Sequence, residues 1–389
     1  MSRTTHYLIE PQDTWFFRES RPMGGPGGSE LKSNFPPPPR TVLGALRTAM
    51  GDATGVDWHD FRSDHPLTQW IGYGDDLGPL CLEGLWVTLN EQRLYPTPAM
   101  LLKDTDGQSI KRLHIGGVLE THLGRLRLPR LPNNQRGLKP LGKAWLTEEG
   151  FERVLNGGIP KPNEVILEKR LFVRESRLGI SRDNLRRTAE DGGLYQTEHL
   201  RPCPDVGLEV RLTHADDGPE PLSTVRLGGE GRLAHIRRPD SPRPFLPTPP
   251  NTSDKAHGLM LTLLSPTKLR DADARPTWLP DPSFEAHTLE SGQQIWRGTL
   301  NGIELDLHCA VIDKALREGG WDLATQTPRV MQSLIPAGAC YYFEPAVPEQ
   351  MPLAEIRSRL HGWRIGQDTP LGRGLAACGL WPAADDATL

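Results

Sequence analysis

Arginines and glycines near the start of the chain have the types and spacing of a site for a phosphate backbone. Guanidinium groups bind phosphate oxygens in a bidentate manner. Glycines permit positive φ angles and close approach of another backbone, so a run of them suits a loop that folds around an anion. The residues concerned are Arg18, Arg21, Gly24, Gly25, Gly27, Gly28, Arg40 and Arg47. A merely flexible loop would carry the same glycines, so the pattern alone leaves both readings open.

A strand and a proline run are expected to position these residues. Tyr7 and Ile9 begin an apolar stretch that continues through residues 15–17, and such aromatic and β-branched residues favour a strand. The residues that follow Phe35, 36–39, are all proline. They favour an extended polyproline conformation, and the last of them can open a helix because its missing N–H costs nothing there.

The residues after the prolines have helical periodicity. Apolar side chains recur at helical spacing at Val42, Leu43, Ala45, Leu46, Ala49 and Met50. Arg40 and Arg47 fall on one stripe opposite that apolar face, so we expect both to point outward. The N-terminus of such a helix is itself an anion site. Gly51 is expected to end the helix.

Length and charge limit the kinds of protein that this chain can be. Its 389 residues favour two domains, and its formal net charge of −4 argues against a general polycation. Basic residues are nevertheless concentrated in the tracts 121–147, 169–187 and 226–243, which suit phosphate contacts and equally a solvated face. Five scattered cysteines without a C-x-x-C pair favour a reducing compartment. With no long apolar run or signal peptide, we expect a cytoplasmic protein.

Known catalytic and cofactor motifs are missing or incomplete. The sequence has no G-x-S-x-G elbow, Walker loop or H-E-x-x-H helix. Asp57, His59, Asp60, Asp64 and His65 are metal-ligand types, but no regular spacing aims them at one point, so we expect no metal site. Residues 372–377 fit G-x-G-x-x-A, but too few residues follow to complete a dinucleotide fold. An ordinary turn before a last strand fits them as well, and no cofactor is expected.

Five ordered segments carry a family resemblance. The first, residues 8–47, contains E-P-x-D, F-F-R-E-x-R-P, a glycine loop and F-P-P-P-P-R-T-V-x-G-A-L-R. The others contain R-x-G-I, T-x-x-A, G-x-L-Y and E-H-L-R at 175–201, L-G-G-E at 225–232, P-A-G-x-x-Y-x-F at 335–344, and a glycine-rich loop at 362–381. Together they resemble the third subunit of the type III-B CRISPR effector (Cmr) complex, a member of the RAMP superfamily. One departure is Gly231, where an arginine is expected in many relatives.

The resemblance implies an α+β fold with two ferredoxin-like (RRM-like) domains, long insertions and a β-hairpin thumb. The expected N-terminal domain covers 1–245, with an insertion at about 52–165 and the thumb at about 170–201. The expected C-terminal domain covers 256–389 and includes the glycine-rich loop. The proline-rich tract 239–250 is the expected boundary.

The resemblance also implies a non-catalytic RNA-binding subunit that acts in antiviral defence. Its expected partners are the 5' handle of the CRISPR RNA (crRNA), the large multidomain effector subunit and the adjacent backbone RAMP subunit. Besides Arg18, Arg21, Gly24, Gly25, Arg40 and Arg47, the expected RNA-binding residues are Phe35, Arg177, Arg182, Arg186, Arg187, Tyr195, Gly228, Gly229, Arg232, Gly366, Gly372, Arg373 and Gly374.

Two alternatives stay open at this point. A metal-independent endoribonuclease that processes CRISPR repeat RNA needs only an acid and a base near a 2'-hydroxyl, and Tyr195, His199 and His235 are its first candidates. A structural subunit whose contacts are all with protein would also fit the basic tracts.

Overall fold

The protein is described here by a computed structural model, which covers residues 2–19, 30–104, 109–122, 124–131, 137–183, 185–241, 243–248 and 256–382. The described part is rich in β-sheet with few helices. The helices are α1 (Pro39–Ala53), α2 (Thr68–Ile71), α3 (Glu148–Leu155) and α4 (Leu353–Leu360). The strands are β1 (Ser2–Pro11), β2 (Glu30–Leu31), β3 (Cys81–Leu89), β4 (Gln92–Pro96), β5 (Leu101–Lys103), β6 (Ile110–Arg112), β7 (His114–Thr121), β8 (Gly124–Arg130), β9 (Lys139–Pro140), β10 (Ala144–Leu146), β11 (Val165–Leu167), β12 (Phe172–Asp183), β13 (Thr188–Pro202), β14 (Val206–Ala215), β15 (Thr224–Arg226), β16 (Leu233–Arg237), β17 (Ala256–Leu263), β18 (Glu285–Thr288), β19 (Gln294–Leu300), β20 (Ile303–Val311), β21 (Leu316–Glu318), β22 (Trp321–Asp322), β23 (Thr327–Pro328), β24 (Gln332–Leu334), β25 (Cys340–Pro345) and β26 (Ala376–Pro382).

The chain forms two compact units that are interleaved in sequence. Unit 1 contains residues 1–93, 169–242 and 317–332, and unit 2 contains residues 94–168, 243–316 and 333–389. One of the positions at which the chain passes from one unit to the other, between residues 242 and 243, lies inside the proline-rich tract 239–250. The expected domains, 1–245 and 256–389, differ from these units because most of the expected insertion lies in unit 2 and a short later segment lies in unit 1.

Unit 1 is built on a sheet with strand order β15-β16-β1-β14-β3. β1 lies between β14 and β16 and pairs with both in antiparallel fashion, with Tyr7 opposite Val210 and Ile9 opposite Ile236. The predicted first strand is thus present, but it ends at Pro11. Residues 15–17 form a separate buried aromatic segment in which Trp15 makes only an isolated bridge to Leu200.

Helix α1 has the predicted start and the predicted apolar face. Pro39 is its first residue, and all six of the predicted apolar side chains are buried. Gly51, however, lies inside the helix. Its lack of a side chain is required by packing, because a Cβ atom there would lie 2.6 Å from the ring of Trp58. The helix ends two residues later, and Gly55, with φ of 72°, supplies the left-handed residue that often follows a helix.

Unit 2 contains a sheet with strand order β18-β19-β20-β25-β17-β26. β17 lies between β25 and β26, antiparallel to both, and α4 covers one face. The core includes Leu261, Leu307 and Phe343, which are fully buried. Smaller strands complete the unit: β4, β10 and β11 are neighbours in one sheet, β5 pairs with β6 and β9, and β7 with β8.

Packing explains why residues 94–168 belong to unit 2. Arg112, only 4% exposed, lies 3.3 Å from the carbonyl oxygen of Gly158 and 3.5 Å from that of Leu380. The hydroxyl of Tyr342 lies 3.1 Å from Met100 Sδ. The segment 94–168 is therefore tied to the second half of the chain by buried contacts.

Candidate RNA interface

A long hairpin occupies the stretch in which the resemblance implies a thumb. β12 and β13 pair in antiparallel fashion from Phe172 opposite Pro202 to Asp183 opposite Thr188, with an irregularity between residues 180 and 182. Successive residues of a strand point to opposite faces. The side chains of Leu178, Ile180 and Leu194 are 72%, 55% and 55% exposed, and Ile180 lies opposite Leu194. The hairpin therefore presents an apolar surface to solvent.

The tip of this hairpin is basic and exposed. Arg182, Arg186 and Arg187 are all exposed, and Leu185 beside them is 97% exposed. The guanidinium of Arg186 is 3.6 Å from a carboxylate oxygen of Asp183 and remains 83% exposed, so this pair is weak. The tip arginines are thus accessible to a large anion.

The base of the hairpin holds its arginines in an ion-pair network. Asp13 accepts hydrogen bonds from Arg201 at 3.1 Å and from Arg232 at 3.0 Å, and lies 3.5 Å from Arg177. Glu175 accepts from Arg177 and Arg201, each at 2.7 Å. These hydrogen bonds from Arg201 and Arg177 lower the pKa of Glu175 below its usual value. Arg177 and Arg232 are consequently neutralised within the protein, unlike the arginines at the tip.

His199 is a core residue. It is fully buried, its ring stacks on that of Phe16 with centroids 4.9 Å apart, and its Nδ1 lies 3.0 Å from the hydroxyl of Thr14. Burial lowers its pKa, although Glu230 lies only 3.0 Å from Nε2. His199 lies in the β12–β13 sheet whereas His235 lies on β16 of the other sheet. The side chain of His199 has no exposed surface with which to reach an RNA 2'-hydroxyl.

Tyr195 and Phe35 both pack against protein. The ring of Tyr195 lies over Gly179 on the facing strand, 2.3 Å from where a Cβ would be. Phe35 packs between Trp15 and Phe172, with ring centroids 5.8 Å and 4.7 Å away. Both side chains are partly buried and present only part of their surface to a ligand.

Gly228 and Gly229 bring protein backbone together. Gly228 has φ of 88°, and a Cβ there would lie 2.5 Å from the carbonyl oxygen of Phe16. The amide of Gly229 donates to the same oxygen at 2.7 Å. The close approach that these glycines indicate is thus to the segment 15–17, which precedes the candidate glycine loop in sequence. Arg18 follows that segment and forms an isolated antiparallel β-bridge with Ser33. Arg21, Gly24 and Gly25 lie outside the described residues.

The stripe of α1 that carries Arg40 and Arg47 is covered by the loop 73–78. Arg40 donates to Asp75 Oδ1 at 2.7 Å, and Arg47 donates to the carbonyl oxygens of Gly74 and Asp76 at 3.0 and 3.3 Å. Burial lowers the pKa of Arg47, with Asp76 opposing that effect. The two arginines lie on the predicted side of the helix, but they contact a loop instead of pointing freely outward.

Arg329 joins this group although no sequence pattern connects it with α1. It donates to Asp75 Oδ1 at 2.6 Å and forms a second ion pair, 2.9 Å long, with Asp322. Partial burial favours the neutral acid of Asp75, but Arg40 and Arg329 outweigh this and lower its pKa. The later segment 317–332 brings Arg329 into unit 1. Because this segment is far from α1 in sequence, no local sequence pattern could predict the contact.

The glycine-rich loop of unit 2 is closed by its own packing. A Cβ on Gly366 would lie 2.4 Å from the hydroxyl oxygen of Thr267, and one on Gly374 would lie 1.9 Å from the carbonyl oxygen of Ile365. Gly372 has φ of 79° and ends a short 3-10 turn. Arg373 is 2% exposed, with Nε 4.0 Å from Asp368. The residues of this loop fit a tight internal turn, and the guanidinium of Arg373 is covered.

Acids from distant segments offset the other basic tracts. Arg127 of the first tract lies 3.8 Å from Glu344. In the third tract Arg237 pairs with Glu10 at 2.7 Å, and Arg238 with Glu220 at 2.8 Å. Local charge counts along the sequence therefore overstate how much free positive charge these tracts present.

The acid and histidine cluster at 57–65 forms local turns. Asp57 Oδ1 accepts from the amide of His59 at 2.9 Å, and His65 Nδ1 accepts from the amide of Leu67 at 3.1 Å. Across the described residues, no group of three or more His, Cys, Asp and Glu side chains is arranged to hold a metal ion. In the same part of the chain, no helix is long and apolar enough to cross a membrane.

Comparisons with known proteins agree with the sequence motifs. Two cryo-EM structures of the Type III-B Cmr-beta complex contain chains that match this one. The first complex is bound to cognate target RNA and AMPPnP and the second to cognate target RNA, and their matching chains are 15% and 16% identical to this chain. Both matches cover 87% of this chain and 86% of the other chain, with a TM-score of 0.46. A chain of the Cmr-beta apo state matches with 12% identity over 61% of this chain and 97% of that chain, with a TM-score of 0.26. A search of curated proteins gives no significant match. Residues 7–381 match the family model for CRISPR-associated protein (Cas_Cmr3), so the chain belongs to this family, the third subunit of the type III-B CRISPR effector that the motifs indicate.

Proposed function

We propose that this subunit is a non-catalytic RNA-binding component of the type III-B RNA-guided effector and that it grips the 5' handle of the crRNA. The observation that supports this most is the hairpin β12–β13, whose basic tip and apolar face are both exposed in a chain of this family. Arginines suit phosphate oxygens, and apolar side chains suit the faces of unpaired bases. In this role the subunit acts in the cytoplasm in antiviral defence.

The RNA surface that we propose has two parts. The hairpin tip contributes Arg182, Arg186 and Arg187, and α1 contributes Arg40 and Arg47. The segment that precedes α1 in sequence contains Arg18, Arg21 and the candidate glycine loop, whose amides would bind phosphate. Arg177 and Arg232 are engaged inside the protein and would position this surface instead of contacting RNA directly, and Arg373 is buried within unit 2.

Docking of the large subunit and of the adjacent backbone subunit is part of the same proposal. The segment 317–332 carries exposed apolar side chains, with Trp321, Leu323 and Val330 at 54%, 76% and 84% exposure. Exposed apolar groups close together are typical of protein interfaces. This segment is our candidate surface for one of these two protein partners.

We also propose that both units are variants of the ferredoxin-like fold. In unit 1, β1 lies between β14 and β16, and β3 lies outside β14. In unit 2, β17 lies between β25 and β26, and β20 lies outside β25. This is the arrangement of strands in a β-α-β-β-α-β unit, with one crossover helix in each, α1 or α4.

The handle-binding proposal is tested in the assembled effector complex with the hairpin triple variant Arg182→Gln, Arg186→Gln, Arg187→Gln. We expect weaker binding of crRNA, and a plot of log affinity against log salt that is shallower by about 0.7 per lost phosphate contact. The matched control changes Arg62, Arg275 and Arg359, exposed arginines outside the hairpin and outside segment 317–332, to Gln. Equal affinity and equal salt dependence for the two triple variants would refute the hairpin site.

Two further measurements separate the alternatives. Mapping RNA–protein crosslinks in the intact complex should yield hairpin and α1 peptides, whereas a subunit with only protein contacts would give none. Repeat RNA incubated with the subunit in EDTA should stay intact. Specific cleavage that is lost on changing Tyr195, His199 or His235 would favour the endoribonuclease.

A further inference from the structure

The carboxylate of Asp75 lies where two arginines from distant parts of the chain meet. Arg40, at the start of α1, and Arg329, from the later segment 317–332, both donate to the same oxygen, Oδ1, at 2.7 and 2.6 Å. Two guanidinium groups that converge on one anionic oxygen form the arrangement by which proteins hold phosphate. Here an acid of the protein itself occupies that position.

Arg47 extends the group to three arginines around one short loop. Its guanidinium donates to the backbone carbonyls on either side of Asp75, those of Gly74 and Asp76. The loop is fixed at its ends, because Gly72 has φ of 66° and a Cβ there would lie 2.2 Å from the carbonyl oxygen of Asp76. The backbone is thus held in a tight turn while the side chain of Asp75 projects from it.

The side chains of this cluster differ in their exposure to solvent. Asp75 is 66% exposed, whereas Arg40 and Arg329 are 30% and 18% exposed. Arg329 also forms an ion pair with Asp322, which is 16% exposed. The carboxylate is therefore the outermost member of the cluster, and the two arginines are more enclosed. An ion pair at such an exposed position contributes little free energy and is readily exchanged for another anion.

We propose that Asp75 occupies the position of an RNA phosphate, that RNA displaces its side chain, and that Arg329 is an RNA-binding residue alongside Arg40 and Arg47. This inference rests on the proposed handle-binding function and adds to it an arginine and an internal competitor. In the absence of RNA the carboxylate neutralises the cluster. A single small anion gains little by replacing it, whereas an RNA that also binds elsewhere on the subunit brings its phosphate at high local concentration.

The test compares Asp75→Asn with Asp273→Asn in the assembled complex. Asp273 is a matched control because it is 67% exposed and pairs with an arginine, Arg275, at 3.4 Å. Asparagine keeps the shape of the side chain and removes its charge. We expect Asp75→Asn to bind crRNA on the order of two- to fivefold more tightly at moderate salt, the range that corresponds to release of one exposed ion pair. Asp273→Asn should bind with unchanged affinity.

The arginines are tested in the same assay. We expect Arg329→Gln and Arg40→Gln to weaken binding and to make the salt dependence shallower by about 0.7 each, relative to Arg275→Gln. Thermal unfolding of each variant shows whether the fold is intact. A loss of stability in Asp75→Asn or Arg329→Gln without a change in RNA affinity would overturn the proposal, because the cluster would then be only structural.

The outcomes distinguish this inference from the function on which it rests. If Arg40→Gln and the hairpin triple variant weaken binding while Asp75→Asn and Arg329→Gln behave like their controls, the internal competitor is refuted and handle binding stands. If none of these variants changes binding, both are refuted. Equal tightening by Asp75→Asn and Asp273→Asn would refute the inference, since general charge would then explain it.

Discussion

Arg93 and Glu209 carry opposite charges that are both buried, and each requires the other as its partner. Arg93 and Glu209 form a bidentate pair, with N–O distances of 3.0 and 2.6 Å, and the two side chains are 2% and 0% exposed. The guanidinium also lies 4.1 Å from the ring centroid of Trp86. A charge in such a place requires its partner, because water cannot replace it.

At the residue scale we predict that Glu209→Gln lowers the free energy of unfolding by about 3–5 kcal/mol, because Arg93 is left buried without a counter-charge. Asp306→Asn is the matched control: its partner Arg297 is also bound through two hydrogen bonds but is 32% exposed. We expect a clearly smaller loss there. Urea unfolding of both variants measures the difference, and an equal or smaller loss for Glu209→Gln would contradict the argument.

At the scale of loops and strands, glycines mark places where one part of the backbone approaches another. The glycine-rich motifs at 228–229 and 366–374 resemble ligand loops in sequence, yet the approaching groups are the carbonyl oxygens of Phe16 and Ile365. Composition indicates that close approach is needed, but it does not identify the group that approaches. That choice is made by strand pairing across long sequence separations.

We predict that Gly374→Ala destabilises unit 2 by more than about 1 kcal/mol and by more than Gly302→Ala. Both glycines have φ near 70°, so both variants carry the backbone strain of a left-handed residue. Only Gly374 would also place a Cβ against backbone, whereas nothing lies within 4 Å of one at Gly302. Thermal unfolding that gives equal losses would show that the contact with Ile365 relaxes freely.

Local sequence patterns predicted helix α1 and its buried face, but not the segments that pack against it. The apolar periodicity of α1 gave its buried face. Periodicity also gave the side on which Arg40 and Arg47 lie, but not the loop that covers it or the arrival of Arg329. The buried His199 shows the same limit, because neither residue type nor spacing reports burial.

Over the whole molecule, burial disfavours the protonated form of several histidines. Burial lowers the pKa of His199, His214, His308 and His361 below their ordinary value. In the unfolded chain these groups titrate near about 6.5. The unfolded state therefore binds protons that the folded state does not as the pH falls below that value, so stability is full above it and decreases on acidification.

We predict that the urea midpoint of the chain falls between pH 7.5 and pH 5.5 and that it falls less in His361→Asn. His361 Nδ1 accepts a hydrogen bond from the amide of Cys378 at 3.3 Å, which the amide oxygen of asparagine can also accept. The variant thus keeps the contact and loses the titrating group. Unfolding curves at both pH values measure the two shifts, and parallel shifts would exclude His361 as a contributor.

The interleaving of the two units has a consequence for the newly made chain. When residue 242 leaves the ribosome, unit 1 still lacks residues 317–332, and unit 2 has only its segment 94–168. Neither unit can be completed in the order of synthesis, because each waits for segments made much later. The strands of the unit 1 sheet are all made by residue 237, whereas segment 94–168 of unit 2 must await the sheet that is completed by β26, residues 376–382.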